Sequence, residues 1–272
     1  MRQFFAKFRR WKMRRMLAKH AIPHDLWKMV TEKIPLLSGL DPVEMAHLRA
    51  LSAWFLAKKS IHGAQGFEVT REVQVCIAAQ ACLLILHLGT DYFEGWVGVT
   101  VYPGAFRVNH EEQDEFGLVH QGFENRSGES WLKGPVILSW EDVRLDSREN
   151  LEGRNVVLHE FAHKLDGVNG STNGLPPLPA GMDRRVWHDV FVRAYEALCR
   201  EVDSGGFSSI DPYAATSPAE FFAVATEYFF TAPLVLERRF PEVFEQLSLF
   251  YLGRVGYSNF LESDWRHFQS LA

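Results

Sequence analysis

Val156-Val157-Leu158-His159-Glu160-Phe161-Ala162-His163 is the stretch on which the reading of this chain turns. Three apolar residues lead into it and Phe161-Ala162 fill its middle. The spacing predicts a buried helix with one apolar face and one polar face. Side chains four apart lie on the same face of a helix, so His159 and His163 can hold one metal ion between them. Glu160 stands beside the first histidine, where a carboxylate can activate a water on such a metal. A buried helix does not carry His, Glu and His without partners, because unpaired polar groups are costly to desolvate. Asp166-Gly167 supplies the stop, with Gly167 as the breaker. The pattern points to a zinc hydrolase, a peptidase first of all.

A catalytic zinc usually has three protein ligands and one open position. The best source of the third is the region from Asp211 to Phe230. From Ser217 onward it reads as a helix, with Ser217 at the N-cap, Pro218 at the first helical position and a long apolar stretch after them. Glu220 and Glu227 are seven apart and face roughly the same way in that apolar helix. Two such carboxylates need a cation or hydrogen-bond donors. Glu220 is the leading candidate, although Ser217 three residues before it offers a competing role in a capping box. Glu227 is the second candidate. Asp166, seven residues after His159, is the third, and is better suited to supporting a ligand or capping the helix.

Composition bounds the rest. The chain has 272 residues and is 47% hydrophobic, enough for one compact unit or two closely joined lobes. Cys76, Cys82 and Cys199 have no metal-type spacing and leave an odd thiol, as expected of buried thiols in a reducing compartment. The N-terminus lacks the apolar core of a secretory signal. The longest apolar stretch, Val73 to Leu88, contains Gln74, Gln80 and His87, and reads as a buried helix rather than a membrane span. A cytoplasmic protein is expected.

Charge is uneven. Residues 1–20 hold eight Lys or Arg and no acid, so the remainder sums to −13 against a total of −5. Phe4, Phe5, Phe8, Trp11 and Met16 are interleaved with the basic run. It reads first as a solvated, partly frayed extension. The alternative is an amphipathic helix making weak contact with an anionic membrane or partner surface. The acidic remainder argues against direct nucleic-acid binding.

Residues 21–62 read as helices broken at Pro23, Pro35 and Gly39 to Pro42. Asp41-Pro42-Val43-Glu44 is a helix start, and Trp54 and Phe55 are core. Gly95 to Tyr102 and Pro135 to Trp140 read as strands, the second a candidate edge along which a peptide lies as an added strand. Residues 107–133 read as loops and short strands, with an acidic turn at Glu111 to Glu115. Gly170 to Gly181 is a long loop, and Val186 to Val202 a helix with Trp187, Phe191, Tyr195 and Leu198 on its apolar stripe. The expected fold class is α+β, with a small mixed sheet beside the metal-binding helices. After the extension at 1–20, a helical lobe runs to about residue 92 and a catalytic lobe from about residue 93 to 272.

Three stretches also carry a family likeness: His159-Glu160-Phe161-Ala162-His163-Lys164-Leu165-Asp166, Asp211-Pro212-Tyr213-Ala214-Ala215, and Ser217 through Pro233. They resemble the Mlc titration factor A family of bacterial zinc metallopeptidases. Ile34 to Leu37, Gln65 to Phe67, Tyr102-Pro103 and Gly134 to Trp140 extend the likeness, which runs from about residue 20 to about 255. The resemblance implies a zincin-like peptidase domain, similar to the catalytic domain of anthrax lethal factor, with one zinc ion per chain. It places the first two metal ligands on His159 and His163, the third on Glu220, the catalytic glutamate on Glu160 and the active-site tyrosine on Tyr213. It implies cleavage of short peptide substrates with aminopeptidase character. It also implies binding of a glucose-responsive repressor, Mlc, which relieves repression of a sugar phosphotransferase gene. Beside these stand a non-catalytic zinc protein that sequesters a repressor, and a specialised endopeptidase. Tyr213, following Pro212, has the plainer alternative of anchoring its loop.

Overall fold

The computed structural model describes residues 19–104, 134–149, 151–206 and 208–253. In chain order these form α1 (His24–Thr31), α2 (Pro42–Lys58), β1 (Ser60–Gly63), α3 (Arg71–Leu83), β2 (Gly98–Tyr102) and β3 (Val136–Ser139). Then follow α4 (Trp140–Glu149), α5 (Val156–Asp166), α6 (Arg184–Asp203), α7 (Pro218–Thr231), α8 (Pro233–Arg239) and α9 (Pro241–Leu252). The basic run up to residue 18 and the acidic turn at Glu111 to Glu115 lie outside the described residues.

Helix starts follow local chemistry. The Asp41 side chain accepts from the backbone N–H groups of Val43 and Glu44, and Glu44 returns the bond to the Asp41 N–H, a complete capping box for α2. Asn155 caps α5 by accepting from the Leu158 N–H. Ser217 caps α7 by accepting from the Glu220 N–H, with Pro218 at the first position. The stop of α5 differs from expectation. The helix does end at Asp166, but Gly167 keeps a right-handed backbone at φ −73°. One 3-10 turn, Gly167–Asn169, intervenes before Gly170 takes the left-handed stop at φ 95°.

The molecule is mostly helical with one small sheet among the described residues, an α+β arrangement. Among the described residues the sheet is parallel throughout rather than mixed. Its three described strands run in the order β1-β2-β3 and are all parallel, with Ile61 opposite Val99 and Val99 opposite Val136. Parallel neighbours need a crossover, and α3 lies in the one between β1 and β2. Strand β1 also corrects the helical reading of residues 21–62. Its four residues show no alternation long enough to detect, and its extended state depends on pairing with β2. Gly98 permits the close approach: a Cβ there would lie 2.4 Å from the Ser60 carbonyl oxygen.

One core joins the sheet side to the helices. Phe161, inside the metal-binding pattern, packs its ring 5.3–5.7 Å from those of Phe55, Phe93 and Trp96. On the other side of α7, Trp187 stacks on Phe191 at 4.3 Å and meets Phe250 at 5.4 Å. Burying one such aromatic ring contributes roughly 1.5–3 kcal/mol. Helix α3 is a buried core helix, and no described helix is long and apolar enough to cross a membrane.

Candidate metal centre

Helix α5 packs against α7. It presents His159 and His163 one turn apart, their rings 4.9 Å between centroids and nearly perpendicular at 80°. Their Nε2 atoms are 3.2 Å apart. Glu220, in the first turn of α7, brings its Oε2 to 3.0 Å from His159 Nε2 and 3.3 Å from His163 Nε2. These three form the one cluster of potential metal ligands found among the described residues. The half of the capping box that would have used the Glu220 carboxylate is not made among the described caps; Ser217 accepts from the Glu220 N–H while the carboxylate faces the histidines.

The donor set fits zinc. A tetrahedral ion with ligands at about 2.0–2.1 Å spaces them about 3.3 Å apart, close to the separations here. Glu220 Oε2 is buried and makes no aligned hydrogen bond although both Nε2 atoms stand near it. Burial opposes the ionised form of Glu220, but the two imidazoles outweigh it and hold the carboxyl well below the usual carboxylate range. Two imidazoles and one carboxylate leave a fourth position open, the pattern of a catalytic rather than a structural site.

Glu227, weighed from the sequence as an alternative ligand, lies on the far side of His159. Its Oε1 is 2.7 Å from His159 Nδ1, and its Oε2 accepts from the Asn155 backbone N–H. A carboxylate accepts, so Nδ1 carries a proton, and Nε2 is the nitrogen turned towards His163 and Glu220, the one that would give up its own proton to bind a metal. Burial disfavours charge on His159, yet Glu227 and Glu220 more than offset it and raise its pKa well above the ordinary histidine value. Asp166 is fully buried and does not join the cluster. Its Oδ2 accepts from the Gly174 N–H at 2.7 Å, while burial pushes its carboxyl up to about 6.

Glu160 is partly exposed beside the cluster. Burial of its carboxyl raises its pKa, an effect opposed by His159 and His163. Tyr213 stands with its ring centroid 6.1 Å from that of His159. Its segment is built locally: the Asp211 side chain accepts from the Tyr213 N–H and the Thr216 hydroxyl donates to the Tyr213 carbonyl. The Tyr195 hydroxyl pins the segment to α6 by donating to the Ala215 carbonyl at 3.2 Å. Burial and the nearby carboxylates of Glu220 and Glu160 raise the Tyr213 phenol, so it keeps its proton at neutral pH.

Gly174 lies against both helices. Its N–H goes to Asp166 at the end of α5, its carbonyl accepts from Trp187 Nε1 at 2.9 Å, and a Cβ would lie 2.5 Å from the Pro218 carbonyl oxygen in α7. With φ at 77° it also occupies the left-handed region. Gly174→Ala is expected to lose roughly 1–3 kcal/mol of stability, measurable as a lowered denaturation midpoint. An unchanged midpoint would mean that the loop accommodates the methyl group without moving α7.

The chain is similar to known proteins over most of its length. A family model described as glucose-regulated metallo-peptidase M90 matches residues 8–252, starting inside the run read as an N-terminal extension. Mlc titration factor A of Serratia proteamaculans (strain 568) is 45% identical over 221 residues, covering 80% of this chain and 83% of that protein. Mlc titration factor A of Yersinia pestis (strain Pestoides F) is 41% identical over 221 residues, covering 80% of this chain and 81% of that protein. With the helices that carry the His159, His163 and Glu220 cluster, the Tyr213 segment and the described sheet all inside the matched span, the chain belongs to the glucose-regulated metallo-peptidase M90 family.

Proposed function

We propose that this chain is a zincin-like, zinc-dependent peptidase with aminopeptidase character. His159, His163 and Glu220 hold one zinc, Glu160 serves as general base, and Tyr213 donates a hydrogen bond to the developing oxyanion. The carrying observation is the convergence of the three ligand atoms at 3.0–3.3 Å, with Glu227 holding the far side of His159. When bound, zinc supplies Lewis-acid chemistry, lowering the pKa of water towards 7 and polarising a scissile carbonyl. Glu160 takes the proton from the attacking water and returns it to the leaving amine. Strand β3 lies at the end of the described sheet and supports the reading of a peptide laid beside it as an extended strand. The three cysteines are free thiols, in keeping with a reducing, cytoplasmic setting.

The test is elemental analysis of the purified protein together with hydrolysis of short peptides and aminoacyl amides. About one zinc per chain and zinc-dependent cleavage are expected; wild type that binds zinc and cleaves no peptide would overturn the enzyme reading. Tyr213→Phe is expected to retain zinc and lose about 10²–10³ in kcat. Full activity in that variant would leave Tyr213 as a loop anchor.

The names of the relatives favour a second role beside the first, binding of an Mlc-type transcriptional repressor. Co-purification or calorimetry with such a repressor tests it. Binding that persists when peptide cleavage is abolished would separate the regulatory role from the catalytic one.

A further inference from the structure

Behind His159 lies a buried polar chain that links four helices, α3, α4, α5 and α7. The Ser147 hydroxyl of α4 donates to the Val143 carbonyl, and Ser147 Oγ accepts from Gln80 Nε2 of α3 at 2.9 Å. Gln80 Oε1 accepts from Asn155 Nδ2 at 2.8 Å, and the Asn155 backbone N–H goes to Glu227, which holds His159 Nδ1. Gln80, Ser147, Asn155 and Glu227 are all buried, Gln80 completely.

One backbone group sets the polarity of the whole chain. The Leu158 N–H is a fixed donor, so Asn155 must turn its Oδ1 towards it. Asn155 Nδ2 then faces Gln80, which must present Oε1 to it and Nε2 to Ser147. The serine proton is left for the Val143 carbonyl. No amide in this chain can flip without setting donor against donor or acceptor against acceptor.

We propose that Gln80 is a positioning residue for the metal centre, fixing Asn155 so that its N–H holds Glu227, and Glu227 holds His159, in the metal-binding orientation. This rests on the zinc reading above. It goes beyond it by assigning a role to a side chain of α3 that touches neither the proposed ligands nor a substrate. Partners that orient a metal-binding histidine typically change metal affinity about 10–100-fold when removed. An apolar residue at position 80 strands Asn155 Nδ2 in the core and frees the cap residue to shift. Gln80 Nε2 also donates to the Cys76 carbonyl one turn back, at 3.2 Å, so a glutamate there would set acceptor against acceptor and bury a charge, whereas a methionine keeps the length of the side chain and removes its hydrogen bonds.

The experiment is zinc affinity, by competition with a chromophoric chelator, for wild type, Gln80→Leu, Gln80→Met and Ser52→Ala. Ser52 is a fully buried residue of α2 that donates to the Leu48 carbonyl and takes no part in this chain. Gln80→Leu is expected to bind zinc about tenfold more weakly. Gln80→Met, nearer to glutamine in shape, should weaken binding similarly, and Ser52→Ala should match wild type. The visible spectrum of cobalt-loaded protein should change in Gln80→Leu and not in Ser52→Ala. Wild-type affinity in Gln80→Leu would overturn the proposal, as would equal weakening in Ser52→Ala. Should Gln80→Leu fail to fold, Gln80→Met decides in its place. Weaker zinc binding in Gln80→Met with wild-type binding in Ser52→Ala supports the chain, and wild-type affinity in Gln80→Met overturns it. Failure of wild type itself to bind zinc would sink the zinc reading first, and is distinguishable because no variant enters it.

Discussion

The His159→Ala protein is expected to bind no zinc at micromolar free metal and to have no metal-dependent peptidase activity. The substitution removes one of only two imidazoles in the cluster, leaving a single histidine and Glu220 where a zinc site needs three protein ligands. It also strands Glu227, which loses the partner of Oε1 in a site where burial already raises its pKa. Removing one partner of a buried charged pair typically costs about 3–5 kcal/mol, so the metal-free variant should also unfold at a lower temperature than metal-free wild type. Calorimetry on chelator-treated proteins separates this loss from the loss of zinc stabilisation. Zinc retained at one per chain in His159→Ala would place the metal elsewhere and remove the basis of the proposed chemistry.

Glu160→Gln is expected to keep one zinc per chain and to lose about 10²–10⁴ in kcat/KM, equivalent to about 3–5 kcal/mol of transition-state stabilisation. Glutamine preserves the shape and hydrogen-bonding reach of the side chain but cannot accept a proton from water and hand it on. Glu160 is absent from the cluster of potential ligands, so the metal should be unaffected. A drop of less than tenfold would remove Glu160 as the base. The same variant is expected to bind an Mlc-type repressor as wild type does, which gives the two proposed roles opposite outcomes in one protein.

Much of the candidate site was legible because its elements are local. The spacing of His159 and His163 needs only helix geometry to bring them together, and Ser217-Pro218 marks where α7 begins. Strands β2 and β3 were legible as apolar runs, whereas β1 was not: its identity comes from hydrogen bonds to β2, a partner some 38 residues away in register. The parallel sense of the sheet was equally hidden, since direction is decided by the crossover and not by either strand. Gln80 was visible only as a polar residue in the apolar run from Val73 to Leu88. A fully buried amide on such a helix implies a partner, but sequence cannot say that the partner is the cap of α5.

By itself the sequence determined the two-histidine face of α5, its apolar back, and a first turn of α7 carrying Glu220. Tertiary structure alone decided which carboxylate meets which nitrogen. Glu220 and Glu227 share a face of α7 but stand about 10 Å apart along its axis. The crossing of α5 and α7 places His159 between them, with Nε2 towards Glu220 and Nδ1 towards Glu227. Helical periodicity gives the direction in which a side chain points around its own axis. It does not give the height at which a neighbouring helix crosses, and that height is set by how Gly174, Pro218 and the aromatic core let the two helices approach.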